Sequence, residues 1–445
     1  MKIILIQPKM NKRPMDTDLK IRMAPSLALL TLMRLTPDGN EVLIFDENVE
    51  KIDFTCSADI VGITITLDVM PRSIRIAEIF RKRGILVVAG GIHVTCSPDE
   101  CLPYFDAICI GFAERVWVRI LEDAAQRKLQ QIYHDMVEFR GDEIASPKYD
   151  AIDNSRYLYT NAVTTGRGCP NKCDFCYNSC KNRAYVQRPI QDVLRDIDSF
   201  HTRHVLFIDD NFIGTPSYTR ELLDQLRDRK LKWGAAVTTN IIHHPDLLDL
   251  MQETGCQSLF IGFESINNPS LQSVSKNNRF EEYDKLVHAI SSRGIMINAS
   301  MVFGLDGDNP DIFQRTLHWL IKSKIGTLTA HILTPYPGTE LYRRMKDGGR
   351  IINDDLSKYN TAHVVFKPKG MTADELYGGY LWIYREFYSF MNIVRRMPKH
   401  GAQRRAYVLF NLLYRKFGQA TSLFTRSIPM RTLGKLAAKI SYCVK

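Results

Sequence analysis

The first 135 residues alternate between short apolar runs and amphipathic stretches. The apolar runs are continuous, which is typical of parallel strands that are buried on both faces of a sheet. They predict strands at 3–7, 41–46, 59–66, 85–89 and 107–111. Helical patterns follow at 25–35 and 73–83. We therefore expect an α/β, doubly wound Rossmann-like domain over residues 1–135, with ligands bound at the carboxyl ends of its strands.

After a polar, irregular linker at 136–160, a strand–helix pattern repeats six times. The predicted strands are 162–165, 204–208, 232–237, 258–261, 296–303 and 327–333. The predicted helices are 190–200, 217–228, 245–254, 280–293 and 310–323. This order predicts a partial (β/α)6 barrel over residues 161–345, an open version of the (β/α)8 fold whose sites lie at the carboxyl ends of the strands. Residues 346–445 are expected to form a helical, basic appendage.

Composition narrows the class of protein. Of the 445 residues, 45% are hydrophobic and 24% are charged, which is ordinary for globular proteins. No run of about 18 apolar residues occurs, so we expect no membrane span. The ten cysteines are few for a chain of this length, and three of them are clustered, which argues against a disulfide framework. We expect a cytoplasmic protein.

The clustered cysteines carry the clearest chemical signal. Cys169, Cys173 and Cys176 have the spacing C-x3-C-x2-C, with an aromatic residue before the third cysteine. Three thiolates cannot complete a tetrahedral zinc site, although a distant fourth ligand could do so. They can hold three irons of a four-iron cluster and leave the fourth open to an outside ligand. Cys180 lies outside this pattern, and we expect a free or substrate-side thiol there, the alternative being an ordinary buried cysteine.

The run C-x3-C-x-aromatic-C after a first barrel strand resembles the signature of the radical S-adenosylmethionine (SAM) enzymes. The resemblance implies that the three cysteines bind a [4Fe-4S] cluster whose open iron chelates SAM. An electron from an external donor of the flavodoxin or ferredoxin type then cleaves SAM to a 5′-deoxyadenosyl radical. Over residues 1–388 the chain looks closest to the subgroup with an N-terminal cobalamin-binding domain, which includes magnesium-protoporphyrin cyclase and hopanoid-modifying enzymes.

The same resemblance implies where SAM binds in the barrel. Phe175 matches the aromatic position whose backbone lies against adenine. Asp209 and Asp210, in the run Asp-Asp-Asn-Phe after the second barrel strand, occupy the position where many relatives bind the SAM amino group. A carboxylate suits an ammonium in a crowded site. Adjacent aspartates can also simply cap a helix. The sequence does not show which of Asp209 and Asp210 would bind SAM.

Two later strand ends complete the expected SAM site. Glu264 and Ser265 match a Glu-Ser pair that faces the ribose and the methionyl part of SAM. The alternative for Glu264 is a strand-end carboxylate in a solvated loop. Gly304 allows close approach of the backbone, and the family uses this segment near adenine.

Cobalamin is expected in the N-terminal domain by the same resemblance. Thr64 and Thr66 match the Ser-x-Leu strand end of cobalamin domains, with threonine in place of serine. Gly90 and Gly91 match the turn against which the nucleotide tail lies. The Asp-x-His-x-x-Gly motif with the cobalt-binding histidine is absent, and His93 follows a different strand. We therefore expect cobalamin to bind without a histidine ligand, the alternative being a domain that no longer binds it.

These residues predict an enzyme rather than a binding protein. Our leading hypothesis is cobalamin-dependent methylation of an unactivated carbon in a small-molecule or lipid substrate. The alternative is radical chemistry without methyl transfer, such as ring formation, carbon–carbon coupling or transfer of another part of SAM. A non-catalytic iron–sulfur sensor is a third possibility from another class of protein.

The C-terminal segment is strongly basic. The formal net charge of the chain is +10, yet no Asp or Glu follows Asn392. The stretches 387–396 and 405–417 combine apolar residues with Arg and Lys, and residues such as Tyr407 and Phe417 can form an apolar face. Such helices often lie on anionic membrane surfaces, so we expect a possible peripheral membrane contact here. The alternative is a helix packed over the barrel; nucleic acid is not expected, because no readout module accompanies the charge.

Overall fold

The computed structural model describes residues 1–14, 16–134, 138–153, 155–159, 161–180, 184–399, 401–418, 420 and 432–433. Within these residues the chain forms two six-stranded parallel sheets and one short antiparallel hairpin. The α/β fold class expected from the sequence is confirmed.

The N-terminal sheet has the strand order β2-β1-β3-β4-β5-β6, and every neighbouring pair is parallel. Its strands are β1 Lys2–Gln7, β2 Glu41–Asp46, β3 Ile60–Thr64, β4 Leu86–Gly90, β5 Ala107–Ile110 and β6 Ile132–His134. The five predicted strands are present, with ends shifted by at most two residues. The edge strand β6 was missed, because three residues are too few to show a period.

Helices cover both faces of this sheet, and the buried side chains accordingly form one apolar cluster on each face. The helices are α1 Asp18–Ile21, α2 Leu27–Leu35, α3 Met70–Lys82, α4 Ile92–Cys96, α5 Pro98–Cys101 and α6 Trp117–Ala125. The strand order reverses direction between β1 and β3. In doubly wound sheets a ligand crevice lies at the carboxyl ends of the strands near such a reversal.

The second sheet has the order β14-β13-β12-β11-β10-β7, again all parallel. Its strands are β7 Ala162–Val163, β10 His204–Phe207, β11 Lys232–Thr238, β12 Cys256–Glu264, β13 Met296–Phe303 and β14 Thr327–Ile332. The hairpin strands β8 Gly166–Arg167 and β9 Val186–Gln187 lie between β7 and β10 in sequence. No pairing joins β7 to β14 in the described residues, so the barrel is open, as predicted.

The barrel helices bury a continuous apolar core against these strands. They are α7 Ile190–Asp198, α8 Pro216–Leu226, α9 Pro245–Glu253, α10 Asn268–Gln272, α11 Tyr283–Ser292 and α12 Asp311–Lys322. The following helices are α13 Glu340–Asp347, α14 Ala373–Phe387, α15 Phe390–Arg395 and α16 Gly401–Val408, continued by a π-helix at Leu409–Lys416. None of the helices in the described ranges is both long and apolar enough to cross a bilayer.

Helix α14 covers the open edge of the barrel at β14. The Tyr384 hydroxyl accepts a hydrogen bond from the Ala330 amide at 2.7 Å and donates one to the Ala330 carbonyl at 3.0 Å. The Tyr388 hydroxyl contacts the amide and carbonyl of Leu328 in the same way, both at 3.0 Å. The backbone of the edge strand is therefore paired with side chains instead of another strand.

The basic C-terminal segment is only partly as predicted. Tyr407, expected on an outward apolar face, is completely buried, and its hydroxyl donates a hydrogen bond to the Ile393 carbonyl at 2.8 Å. This part of the segment packs over the barrel, which was the alternative. Residues 421–431 and 434–445 lie outside the described residues. With them lie the basic residues Arg426, Arg431, Lys435, Lys439 and Lys445.

Candidate functional site

The cysteine loop begins directly after β7 and is held by the β8–β9 hairpin. Gly166 and Gly168 face this hairpin so closely that an added Cβ would lie 2.4 Å from the Val186 carbonyl oxygen and 2.2 Å from the Ala184 carbonyl oxygen. Gly168 also has a φ of +80°, which favours glycine. The run Gly-Arg-Gly before the first cysteine is therefore explained by the close packing of the loop.

The three cysteines lie together on this loop in a mostly buried environment. Burial raises the pKa of all three thiols, that of Cys176 to about 12, so they are protonated at neutral pH in the absence of metal. In the described residues, no three His, Cys, Asp or Glu side chains are grouped to hold one metal ion. A four-iron cluster does not need such a group, because each cysteine binds a different iron. The donor set fits a cluster with one open iron.

The structure distinguishes the two aspartates that follow β10. Asp209 is buried, and its Oδ1 accepts hydrogen bonds from the Thr165 amide at 2.8 Å, the Thr165 hydroxyl at 2.9 Å and the Gly166 amide at 2.9 Å. Burial raises the pKa of Asp209 to about 6, although these hydrogen bonds oppose the rise. Asp210 is exposed, and its charge adds to the raised pKa of Cys169 and Cys176. Asp209 thus fixes the start of the cysteine loop, while Asp210 lies near the cysteines.

Asp209 also has a feature that fits a ligand. Its second oxygen, Oδ2, is buried and has no hydrogen-bond partner in the described part of the chain. The side-chain oxygen of Asn211 is also buried and has no hydrogen-bond partner among the described residues. Buried acceptors normally have donors, so these two oxygens leave room for a donor from outside the protein. An ammonium group such as that of SAM would satisfy them.

Glu264 ends β12 and forms a buried ion pair with Lys276. Lys276 Nζ lies 2.9 Å from Glu264 Oε1, and both side chains are only 10% exposed. Burial alone lowers the pKa of Lys276, but Glu264, Cys173 and Cys176 outweigh it and raise the pKa above its usual value. The lysine is therefore charged and near the cysteine loop.

The backbone at Glu264 is strained. Its φ is +65°, and the pairing of β12 with β13 shifts register between Gly262 and Glu264. Strained backbone of this kind is found in clusters at active sites and ligand-binding sites. Lys276 follows β12 by twelve residues and belongs to none of the motifs recognised in the sequence, so its role was not predicted. The available signal was the presence of two cations, Lys276 and Arg279, between β12 and α11.

The remaining residues that we expect in the SAM site lie at the same end of the barrel. Ser265 is buried, and its hydroxyl accepts a hydrogen bond from the Asn267 amide at 3.1 Å. Gly304 has a φ of +90°, and an added Cβ would lie 2.6 Å from the Leu376 side chain. This glycine is thus required by packing against α14. Phe175 is half-buried against the barrel core. The adenine contacts expected for Phe175 and Gly304 stay predictions.

A cavity of about 310 Å³ lies at the carboxyl ends of β3, β4 and β5. Thr64, Gly90 and Gly91 line it, together with apolar side chains from α2 and α6. At Gly91 the φ is +107° and an added Cβ would lie 2.7 Å from the Ile65 amide nitrogen, so only glycine fits. Cavities of this size and character suit small apolar ligands. The residues fit the nucleotide base of cobalamin, which is a flat ring system, but the cavity is too small for the whole cofactor.

Other candidate cobalamin residues lie outside this cavity. Thr66 is exposed, and its hydroxyl donates a hydrogen bond to Asp68 Oδ1 at 2.8 Å. His93 is completely buried, and burial lowers its pKa to about 4. Met70 and Arg72, in the first turn of α3 after Thr66, are both held by other contacts within the domain. Met70 packs into the core, and Arg72 forms an ion pair with Glu47.

The cavity and the cysteine loop share a wall. Arg167, two residues before Cys169, lines the cavity and forms an ion pair with Glu114 of the loop after β5, with Nη2 2.5 Å from Oε1. The guanidinium lies 5.1 Å from the centroid of the Phe112 ring. Glu114 is almost fully buried. The two sets of strand-end loops therefore meet at this ion pair.

Comparison with protein families agrees with this arrangement. The model of the radical SAM superfamily matches residues 163–320, which include the three cysteines and Glu264. A second family model, a domain of unknown function (DUF4070), matches residues 339–423.

Curated relatives resemble the chain over most of its length. The bacteriochlorophyllide d C-12(1)-methyltransferase of Chlorobaculum tepidum is 28% identical over 411 residues, covering 89% of each protein. The hopanoid C-2 methylase of Rhodopseudomonas palustris is 27% identical, covering 78% of this chain and 69% of that protein. The anaerobic magnesium-protoporphyrin IX monomethyl ester cyclase of Rubrivivax gelatinosus is 23% identical, covering 82% and 72%.

Solved structures share the fold at low identity. The radical SAM methyltransferase TsrM from Kitasatospora setae, with cobalamin and a [4Fe-4S] cluster bound, superposes with a TM-score of 0.64 at 16% identity, covering 78% of each chain. The cobalamin-dependent SAM radical enzyme OxsB, with aqua-cobalamin bound, gives 0.67 at 14% identity, covering 97% of this chain and 76% of that one. At these identities the comparison supports the fold alone.

Proposed function

Because the chain belongs to the radical SAM superfamily, in the cobalamin-binding subgroup related to the methyltransferases and the cyclase above, we propose that it methylates an unactivated carbon with the help of cobalamin. The bound groups would supply the difficult chemistry: the reduced cluster cleaves SAM to a 5′-deoxyadenosyl radical, and cobalamin carries the methyl group. The protein supplies the sites that bind and orient these groups.

The observation that carries the proposal is the shared wall between the cavity and the cysteine loop. Methyl transfer with two cofactors requires both to reach one substrate carbon. Arg167 belongs to the cysteine loop and lines the cavity, so a ligand there lies next to the loop that would hold the cluster. A domain kept only as a lid would need no glycine-lined cavity at its strand ends.

The charged groups of the barrel are suited to a zwitterion. The methionyl end of SAM carries an ammonium and a carboxylate. Lys276 offers a buried cation for the carboxylate, whereas Glu264 and the unpaired Oδ2 of Asp209 offer acceptors for the ammonium. Asp209 also holds Thr165 and Gly166, and through them the start of the cysteine loop. The same carboxylate would thus help to position both the cluster and SAM.

The proposal can be tested without knowing the substrate. Protein reconstituted anaerobically with iron, sulfide and hydroxocobalamin is given dithionite and SAM. We expect both 5′-deoxyadenosine, from radical cleavage, and S-adenosylhomocysteine, from methyl transfer to the reduced cobalamin. Gly90→Val is the diagnostic variant, because an added Cβ there makes only an ordinary contact, 3.8 Å from Cys109, while the side chain would enter the cavity.

Gly90→Val should lose hydroxocobalamin binding and S-adenosylhomocysteine formation, yet keep the cluster and 5′-deoxyadenosine formation. Gly378→Ala, on the exposed face of α14 with open space around it, is the matched control and should behave as wild type. Formation of 5′-deoxyadenosine without cobalamin binding or methyl transfer in the wild-type protein would contradict the proposal. It would favour radical chemistry without methyl transfer, to which the similarity to a cyclase also points.

A further inference from the structure

The short helix α15 exposes an apolar surface next to the barrel. Phe390, Met391 and Val394 are 57%, 62% and 62% exposed, although all three are apolar. The ring of Phe417, also exposed, lies 5.8 Å from that of Phe390. We call Phe390, Met391, Val394 and Phe417 the α15 patch. Scattered exposed apolar residues need no explanation, but a contiguous group often marks a contact site.

Basic side chains lie beside the α15 patch or follow it closely in sequence. Lys416 Nζ lies 4.4 Å from the centroid of the Phe390 ring. Exposed cations follow in sequence: Arg395 ends α15, Lys399 lies in the segment before α16, and Arg404 and Arg405 lie on α16. No acidic residue occurs in the sequence after Glu386. The surroundings of the patch are therefore strongly positive.

The patch rests on a firmly packed base. Arg396, on the opposite side of this segment, is buried and donates hydrogen bonds to the carbonyls of Ile325 at 2.8 Å, Gly326 at 3.1 Å and Phe387 at 2.8 Å. Asn411 adds a hydrogen bond to the Gly326 carbonyl at 3.2 Å. The apolar side chains are thus held outward by a segment whose inner face is fully engaged.

We propose that the α15 patch binds an anionic lipid surface, with its apolar side chains inserted between headgroups and its cations facing the lipid phosphates. Charge complementarity selects this partner, since apolar insertion next to several cations is the usual pattern of interfacial helices. Each cation near an anionic bilayer adds to the attraction, and salt weakens it. This proposal does not depend on the proposed methyl transfer.

The location of the patch determines how the protein would lie on the lipid. Ile325 and Gly326 immediately precede β14, so Arg396 contacts the amino-terminal end of the barrel strands. Gln403 likewise donates a hydrogen bond to the carbonyl of Gly294, which precedes β13. The cysteine loop is at the carboxyl ends. The bound enzyme would therefore keep its cofactor end away from the lipid.

The test is flotation of the full-length protein with phosphatidylcholine vesicles that contain or lack 30% phosphatidylglycerol. We expect flotation with the anionic vesicles at low salt, and at least a fivefold lower bound fraction in 0.5 M sodium chloride. The double variant Met391→Asp, Val394→Asp should reduce the bound fraction at least tenfold. Both side chains are exposed, so the fold should survive, and the melting temperature checks this.

Ile352→Asp is the matched control, because Ile352 is an exposed apolar residue outside the patch and should leave flotation unchanged. Equal binding to neutral and anionic vesicles, or wild-type binding by the double variant, would overturn the proposal. So would a wild-type protein that fails to float. Concentration-dependent dimers that the double variant dissociates, without flotation, would assign the patch to a second copy of the chain instead.

Discussion

The two sets of strand ends that meet at the site are built in opposite ways. At the carboxyl ends of the barrel strands, charged side chains are buried and paired, as in Glu264 with Lys276. At the carboxyl ends of the N-terminal strands, Gly90 and Gly91 line an open cavity. The barrel end can therefore select a small charged ligand by its side chains. The N-terminal end can accept a flat apolar group because it leaves space for it.

Replacing the cysteines should have the largest effect and should affect the barrel end alone. Replacing Cys169, Cys173 or Cys176 with alanine should remove the cluster and all SAM cleavage, because each cysteine supplies one of only three anchors. Iron and sulfide content and the electron paramagnetic resonance spectrum of the reduced protein measure the loss. Hydroxocobalamin binding should persist, since no cysteine of the loop lines the cavity.

Cys180→Ala is the matched control for this experiment. Cys180 is buried and lies four residues after Cys176. We expect it to keep iron content near that of the wild type. A cluster lost in Cys180→Ala but kept in Cys169→Ala would show that the ligands have been assigned wrongly.

The charged character of the barrel end can be tested at the Glu264–Lys276 pair. Lys276→Met or Glu264→Gln alone leaves one uncompensated buried group, and breaking such a pair typically costs about 3–5 kcal/mol. The double variant should recover most of this stability, measured by thermal melting, but not the SAM affinity. We expect SAM to bind at least about tenfold more weakly to all three variants, a loss of roughly 1.4 kcal/mol.

Arg343→Met is the control, because its pair with Glu340 is exposed and exposed ion pairs contribute little to stability. Its melting temperature and SAM affinity should stay near those of the wild type. Unchanged SAM affinity in Lys276→Met and Glu264→Gln would remove both residues from the SAM site.

The Arg167–Glu114 ion pair, which lies between the two ends, gives a smaller expected effect on stability. Arg167→Met and Glu114→Gln should each destabilise the protein by about 1–3 kcal/mol, because Glu114 is buried but Arg167 is about a quarter exposed. A double-mutant cycle on the melting temperature should show coupling between them. The same cycle on hydroxocobalamin affinity shows whether the pair also shapes the cavity; additive losses there would separate the cavity from the cysteine loop.

The smallest effect concerns the pH dependence of Asp209. Its pKa in the folded protein, about 6, lies above the unfolded value of about 4, so the folded state binds the proton more tightly. The contribution of Asp209 to stability is therefore greatest below pH 4 and falls as the pH rises to 6. Asp209→Asn should gain stability relative to wild type between pH 4.5 and 7, measured as the difference in melting temperature. The exposed Asp210→Asn is the control, and an equal trend in both variants would contradict this account.

The sequence predicted the barrel end better than the N-terminal end, for a physical reason. The cysteine spacing is contained in eight consecutive residues, and the carboxylates follow strands that are long enough to identify. A cavity is a property of empty space, so no residue pattern could give its volume. Gly91 illustrates this, since its glycine is required by contact with Ile65, a residue distant in the chain.

The sequence also did not indicate which charged side chains pair with each other. Nothing in the sequence joined Glu264 to Lys276 or Glu114 to Arg167, because each pair depends on how loops cross at the strand ends. The separation of Asp209 from Asp210 also needed the structure, since neighbouring residues point to opposite sides of an extended backbone. The apolar face expected near Tyr407 was misplaced because helical spacing does not indicate which side meets the barrel.

The side chains of Tyr384 and Tyr388 cover the edge strand β14, and this limits self-association of the protein. An unpaired edge strand is a template on which strands of other molecules can add. Here Tyr388 and Tyr384 occupy the outward amides and carbonyls of Leu328 and Ala330, and the Thr361 carbonyl accepts from the Ile332 amide at 2.8 Å. Successive outward positions of the strand are thus filled without a partner strand. The barrel can remain open for its substrate and still offer β14 to no other chain.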